Sequence, residues 1–357
     1  MQDFAYTPPS LLTNGLLMTL YTALQASKNW ETTIIEAEPL YQDVIFTGAE
    51  NTPIFGKIAL NDRPKGTIIA TYGITGDLDN QWFLKILARK AYHRGYAVVI
   101  FDWRAHGKTA RLSPSLTSDG IYEGRDFVYI AEKARELGCP SPFWFSGYSL
   151  GGQLALWGAY YVELLKTQLK PKDVAGCAVI CPNLAANRSL IYLERQLLGK
   201  YIEKAIAKNL KQLALQLKTY HPEDFDLAAI ARAKTIRQFD RELVIERLGF
   251  ATVAEYYEAS SPFRIMSKIA KPTLILYAAD DPMFDPTIID DLVAVCAENK
   301  SLELILTEYG GHVGYLSSTN CQRYHGDRDP WWAWNRILDW IELQRLDYLN
   351  SKTAQPG

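Results

Sequence analysis

The stretch PFWFSGYSLGG, from Pro142 to Gly152, constrains this chain more than any other. Its first half is a short apolar run with aromatic weight, the signature of a buried strand. Its second half reads Gly147-x-Ser149-x-Gly151, and an apolar helical pattern follows from Leu154 to Leu165. A serine between strand and helix in this spacing forms a nucleophile elbow. The serine sits at the tip of a very tight turn, so bulky residues two positions to either side would clash. The turn lifts the hydroxyl clear of the sheet, and the N-terminus of the following helix offers free N–H groups and a positive dipole to a developing oxyanion. The pattern alone turns up by chance in roughly one chain of this length in ten. Its context and its downstream partners therefore decide what it means.

The rest of the chain repeats one rhythm. Tyr41–Phe46 and Ile54–Leu60 read as strands of a hairpin. A strand from Gly66 to Gly73 precedes a helix over 81–94, which Gly95 stops. Tyr96–Phe101 is the next strand, and a helix over 119–137 leads to the Ser149 strand. Val174–Ile180 follows. From about Ala185 to Ser261 only helical patterns occur. The alternation resumes with Pro272–Ala278, a helix over 286–299, Leu302–Leu306 and a last helix from Pro330, in which Trp334, Ile337, Leu338 and Ile341 form an apolar stripe. Short apolar strands alternating with helices predict an α/β fold with a mostly parallel sheet flanked by helices. We expect one domain over 1–350, a helical cap insertion over about 185–261, and a frayed tail at 351–357.

Composition excludes several function classes. A formal net charge of −2 gives no electrostatic footprint for nucleic acid. The five cysteines, Cys139, Cys177, Cys181, Cys296 and Cys321, are odd in number and lack metal-ligand spacing. They read as reduced thiols of a cytoplasmic protein, with no metal site among them. Leu11–Leu24 is apolar but is broken by Asn14-Gly15 and too short to span a bilayer. It reads as an amphipathic helix of the folded domain rather than a leader, with peripheral membrane contact as the alternative.

A serine nucleophile needs a base, and the base needs a carboxylate to orient it. Two candidates lie just past strand ends, where α/β sheets place their sites. The strand ending at Ala278 leads into Asp280-Asp281-Pro282, and the next into Gly310-Gly311-His312. The expected triad is Ser149, His312 and Asp281, with Asp280 second and Asp285 third for the acid. Among other histidines, His93 falls in a helix, His221 in the insertion, His106 ahead of Ser149 and His325 beyond the last strand. Two backbone donors would form the oxyanion hole: the N–H of Leu150 and, from the loop after Tyr72-Gly73, the N–H of Ile74.

At this point the chain resembles the YheT-like group of α/β-hydrolases, which is similar to the abhydrolase-domain esterases and phospholipases. The likeness rests on Tyr6-x-Pro8-Pro9 with Asn14-Gly15, on Gly147–Gly152, and on Gly310–Gly314. Its most specific part is Thr235-Ile-Arg-Gln-Phe-Asp240 with Gly249-Phe250, Tyr256-Tyr257 and Ala278–Pro282. The resemblance implies a triad on Ser149, Asp281 and His312 and hydrolysis of short-chain or lipid carboxylic esters without a cofactor. The group usually has His-Gly where this chain has Tyr72-Gly73, and an Arg-Gly turn where this chain has Asp102-Trp-Arg-Ala-His-Gly107. Two alternatives use the same fold: a non-catalytic binding module, and an acyltransferase with the same triad.

The insertion carries a further pattern. Between Arg188 and Lys218, residues Leu193, Leu197, Tyr201, Ala205 and Ile206 can share one helix face, expected to pack over the sheet. The other face holds seven basic residues against Glu194 and Glu203. A solvated cap helix is the plain reading. Peripheral contact of the cap with an anionic lipid surface is the sharper one.

Overall fold

The computed structural model describes residues 4–353 of the 357. Eight strands form one sheet: β1 (Gln42–Thr47), β2 (Pro53–Ala59), β3 (Thr67–Thr71), β4 (Ala97–Phe101), β5 (Phe143–Tyr148), β6 (Val174–Ile180), β7 (Thr273–Ala278) and β8 (Leu302–Thr307). Their spatial order is β1-β2-β4-β3-β5-β6-β7-β8. The β1–β2 hairpin is antiparallel and β2 runs antiparallel to β4; every pairing from β4 onward is parallel. Every residue of β3 to β7 is buried, so both faces of the central sheet are covered. That is why these strands read as unbroken apolar runs.

The helices Trp82–His93 and Trp332–Thr353 pack on each other against the sheet, and Glu123–Glu136 pairs with Leu150–Tyr161. The stripe Trp334, Ile337, Leu338 and Ile341 is buried. The parallel register aligns Thr71 with Gly147 and Gly147 with Val179. The C-terminal ends of β3, β5 and β6 therefore form one rim, continued by β7 and β8.

Three elements differ from the expectations. The helix after Ser149 starts at Leu150, not Leu154. Gly151 and Gly152 weaken its propensity, but the turn launches the helix directly from the strand. The short helix Thr319–His325 was hidden in polar sequence. The last helix reaches Thr353, into the tail expected to fray; residues 354–357 lie outside the described residues.

The segment between β6 and β7 is helical from Ala186 to Met266, and here one expectation fails. The supposed continuous face is broken at Gln196, whose ψ of 139° is extended, so Ala186–Arg195 and Leu197–Tyr220 are separate helices. Gly199 fits the corner because a Cβ there would lie 2.4 Å from the Leu193 carbonyl oxygen. The break resets the helical phase. The longer helix buries Glu203, Ala207, Leu210, Ala214 and Leu217, whereas Leu197 and Tyr201 are exposed. Glu203, assigned to the charged outer face from sequence, turns inward and accepts the Ile236 N–H at 2.6 Å.

Candidate active site

Ser149 lies at the junction of β5 and its helix with φ 54° and ψ −129°. A non-glycine residue reaches positive φ only where its surroundings over-determine it. Here the Ser149 N–H donates to the Ile180 carbonyl at 3.0 Å. The flanking glycines allow the close approach. A Cβ on Gly147 would lie 2.3 Å from the Gly151 carbonyl oxygen, and one on Gly151 would lie 2.4 Å from the Tyr72 carbonyl oxygen.

The His312 imidazole bridges two expected partners. Its Nε2 is 2.9 Å from Ser149 Oγ, and its Nδ1 is 2.9 Å from Asp281 Oδ2. Asp281 is buried, and its Oδ1 accepts the Met283 N–H at 2.8 Å. Asp280, the second candidate, turns elsewhere: its Oδ1 accepts the Gly311 N–H at 2.8 Å, and burial raises its carboxyl above the ordinary range. Asp285 accepts from Thr287 and stays off the imidazole. The edge of Phe284 meets the His312 ring at 5.1 Å between centroids.

The loop after β3 passes beside the serine. A Cβ on Gly73 would lie 3.0 Å from Ser149 Cβ, and Ile74 and Leu150 line the same cavity as Ser149 and His312. Asp102 and His106 moor this loop. Asp102 accepts the Tyr72 hydroxyl at 2.6 Å, the Leu78 N–H at 2.9 Å and the Lys108 N–H at 2.9 Å. Burial nevertheless pushes its carboxyl up to about 6. His106 stacks on Trp103 and accepts the Thr75 N–H at Nε2, while Nδ1 faces the Arg104 carbonyl. That pattern needs the neutral Nδ1–H tautomer, and burial lowers the imidazole to about 4. The departures Tyr72 and His106 are thus anchors for the loop that carries Ile74.

Residues 66–319 match the family described as alpha/beta hydrolase fold. The chain belongs to the α/β-hydrolase family. The slr0264 protein of Synechocystis sp., which bears an esterase name, is 50% identical to this hydrolase over 351 residues, covering 96% of this chain and 95% of that one. YheT of Escherichia coli, also esterase-named, is 26% identical over 308 residues, 84% of each chain. Phospholipase ABHD3 of Mus musculus is 27% identical over 70% of this chain and 58% of its own. The Pyrococcus furiosus esterase PF2001 superposes with a TM-score of 0.55 over 85% of this chain and 91% of its own, at 16% identity, a likeness of fold.

Two features of the hydrolase's site were not legible in its sequence. The first is the N-terminal helix Gly15–Tyr21, capped by the Asn14 side chain. Thr19 Oγ1 accepts the His312 N–H at 2.8 Å and donates to the Gly15 carbonyl at 2.7 Å. A Cβ on Gly15 would lie 1.8 Å from the Asp280 carbonyl oxygen, and one on Gly311 would lie 2.4 Å from the Gly15 carbonyl oxygen. Asn14-Gly15 therefore lets a helix seat directly on the loops that carry Asp281 and His312.

The second is a buried acid pair. Asp119, from the core, and Asp240, from the helical insertion, line the cavity that holds Ser149. Asp119 accepts from Thr117 at 3.2 Å, and the Tyr257 hydroxyl donates to Asp240. Burial raises both carboxyls. The charge of Glu123 raises Asp119 further and that of Asp119 raises Asp240, while Arg237 opposes the shift of Asp240. The resemblance motif Thr235–Asp240 converges on this spot: Thr235 caps its helix, and Phe239 and Asp240 face the cavity.

Both features yield expected outcomes. Thr19→Val leaves the His312 N–H without its acceptor, and we expect the reaction of Ser149 with a fluorophosphonate probe to slow by about tenfold or more. Thr19→Ser should restore it; an unchanged rate in Thr19→Val rules the contact out as a positioning device. For the acid pair the sign follows from linkage. Folded carboxyls raised above their unfolded value bind more protons than the unfolded chain, so their contribution to stability falls as pH rises through that window. Asp240→Asn removes one of them. Its Tm relative to the parent should therefore climb between about pH 5 and about pH 8, measured by differential scanning calorimetry; a constant or falling difference contradicts the assignment.

Proposed function

We propose that this protein is a serine hydrolase that cleaves carboxylic esters through a covalent acyl-enzyme. The observation that carries the reading is the His312 ring, 2.9 Å from both Ser149 Oγ and Asp281 Oδ2. The esterase names of slr0264 and YheT support the same chemistry.

In this reading Ser149 Oγ attacks the ester carbonyl while His312 Nε2 takes its proton. Asp281 holds the Nδ1–H tautomer and stabilises the imidazolium. The backbone N–H groups of Leu150 and Ile74 receive the oxyanion; the first belongs to a helix N-terminus whose donors have no partner within the helix. The tetrahedral intermediate collapses as His312 gives its proton to the leaving alcohol. A water deprotonated by the same nitrogen then attacks the acyl-enzyme, and the acid departs with Ser149 regenerated. The sequence of steps needs no metal or organic cofactor.

The helical insertion acts as a cap in this reading. Its residues Leu190, Leu193, Ile206, Leu210 and Phe239 line the cavity over Ser149, which suits the acyl part of a small or lipid ester. The free, mostly buried cysteines suit a reducing compartment, and we read the enzyme as cytoplasmic.

A fluorophosphonate probe should label the protein at Ser149 and leave Ser149→Ala unlabelled. Turnover of p-nitrophenyl esters should fall about a thousandfold or more in Ser149→Ala and in His312→Ala, because the three residues act as a unit. Asp281→Asn should cost far more than Asp280→Asn. Near-parental turnover by either of the first two variants overturns the reading, and the reverse order of the aspartates moves the acid to Asp280.

A further inference from the structure

The outer face of the longer cap helix carries a pattern that the proposed chemistry does not use. Leu197, Lys200, Tyr201, Lys204 and Lys208 are all exposed, and at 3.6 residues per turn they fall within an arc of about 100°. Leu197 is 82% exposed and Tyr201 71%. Leaving two large apolar side chains this bare on a folded surface needs a reason when they share a stripe. Glu203 is buried and accepts the Ile236 N–H, and it touches the lysine row only through a longer-range attraction to Lys204. Among the described residues none of the three lysines makes an ion pair. The opposite side of the same helix sends Ile206 and Leu210 into the cavity with Ser149.

A mostly polar cleft adjoins this helix. Leu198 and Ile202 of this helix line it together with Leu16 and Gly15 of the N-terminal segment and with Asp280 and Asp281. The N-terminal helix separately exposes Leu17, Leu20 and Tyr21, which line another hollow beside Leu316 and Trp331. The helix that contacts the His312 loop and the helix that roofs the cavity therefore both expose apolar side chains.

We propose that this face docks on an anionic lipid surface, with Leu197 and Tyr201 entering the headgroup boundary and Lys200, Lys204 and Lys208 meeting the lipid phosphates. Charge selects this occupant: unpaired basic residues beside exposed apolar ones match a negatively charged, apolar-cored surface. No helix among the described residues is long and apolar enough to cross a membrane, so the contact is peripheral.

The test uses vesicles of ether-linked lipids, which contain no ester and so separate docking from turnover. Wild-type protein should co-sediment with vesicles containing anionic phosphatidylglycerol at low salt and be released at about 1 M salt, where screening is nearly complete. Replacing Lys200, Lys204 and Lys208 together with Gln should weaken binding about a hundredfold. Leu197→Ser with Tyr201→Ser should weaken it as well. Both variants should keep the parental Tm and the parental rate on a water-soluble ester. Absence of co-sedimentation at low salt overturns the proposal. So does equal binding to neutral phosphatidylcholine vesicles, or undiminished binding by the glutamine variant. A dimer in light scattering that Tyr201→Ser dissociates, with no vesicle binding, would assign the face to a second copy of the chain instead. Loss of all ester turnover with vesicle binding intact would count against the proposed function and leave the docking surface standing.

Discussion

Everything at this site depends on how closely backbone can approach backbone around Ser149. The positive φ of that residue turns the chain from β5 into a helix without a spacer. The geometry is tolerable because Gly147 and Gly151 have no Cβ to strike their neighbours, and because the Ser149 N–H is tied to β6. Gly151 also lets the turn rest on the end of β3, so the loop carrying Ile74 must start beside the serine hydroxyl. A larger residue at either position would push the strands apart and open the rim. The strain of the serine and the position of its neighbours are thus one constraint, met by the packing of a sheet buried on both faces.

The other two site residues are fixed differently. Asp281 and His312 sit on loops after β7 and β8, and loops are where backbone freedom is greatest. Here the freedom is removed from outside. The N-terminal helix lies on both loops, with its Gly15 against Asp280 and its Thr19 hydroxyl on the His312 N–H. Asp280 closes the arrangement by accepting from Gly311, so one aspartate orients the ring and its neighbour orients the loop beneath the ring. Two adjacent carboxylates with similar sequence context take different tasks because they point to opposite sides of one turn.

This division explains what could be read from the chain in advance. The five central strands, β3 to β7, were legible because strands buried on both faces must be apolar throughout. Ser149, Asp281 and His312 stood out because each follows a strand end in a fixed order. The Thr19–His312 contact joins residues 293 positions apart, and no local pattern reports such a contact. Asn14-Gly15 was visible only as a resemblance, with no hint that the glycine served the Asp280 loop. The phase of the cap helices was misread for a related reason. Periodicity assumes an unbroken helix, and a single extended residue at Gln196 rotates everything after it. Asp119 and Asp240 come from core and insertion, and only the folded chain makes them neighbours.

That last pairing also says why the insertion lies where it does. An apolar cap alone could slide over an apolar rim with little change in energy, because hydrophobic contact is non-directional. Buried polar groups are directional and must find their partners on both sides. Gln153, one turn into the helix that follows Ser149, donates from one amide to the carbonyls of Asp119 and of Ser260, and Trp157 donates to Ser260 as well. Ser261 reaches back to the Leu184 carbonyl at the exit of β6. The two ends of the insertion are therefore hydrogen-bonded to each other and to the serine's own helix. A cap registered in this way fixes which of its side chains face Ser149, and by the same helical geometry it fixes which face solvent. The inward row through Ile206 and Leu210 and the outward row through Leu197, Tyr201 and the lysines are two consequences of one phase, set where the chain breaks at Gln196.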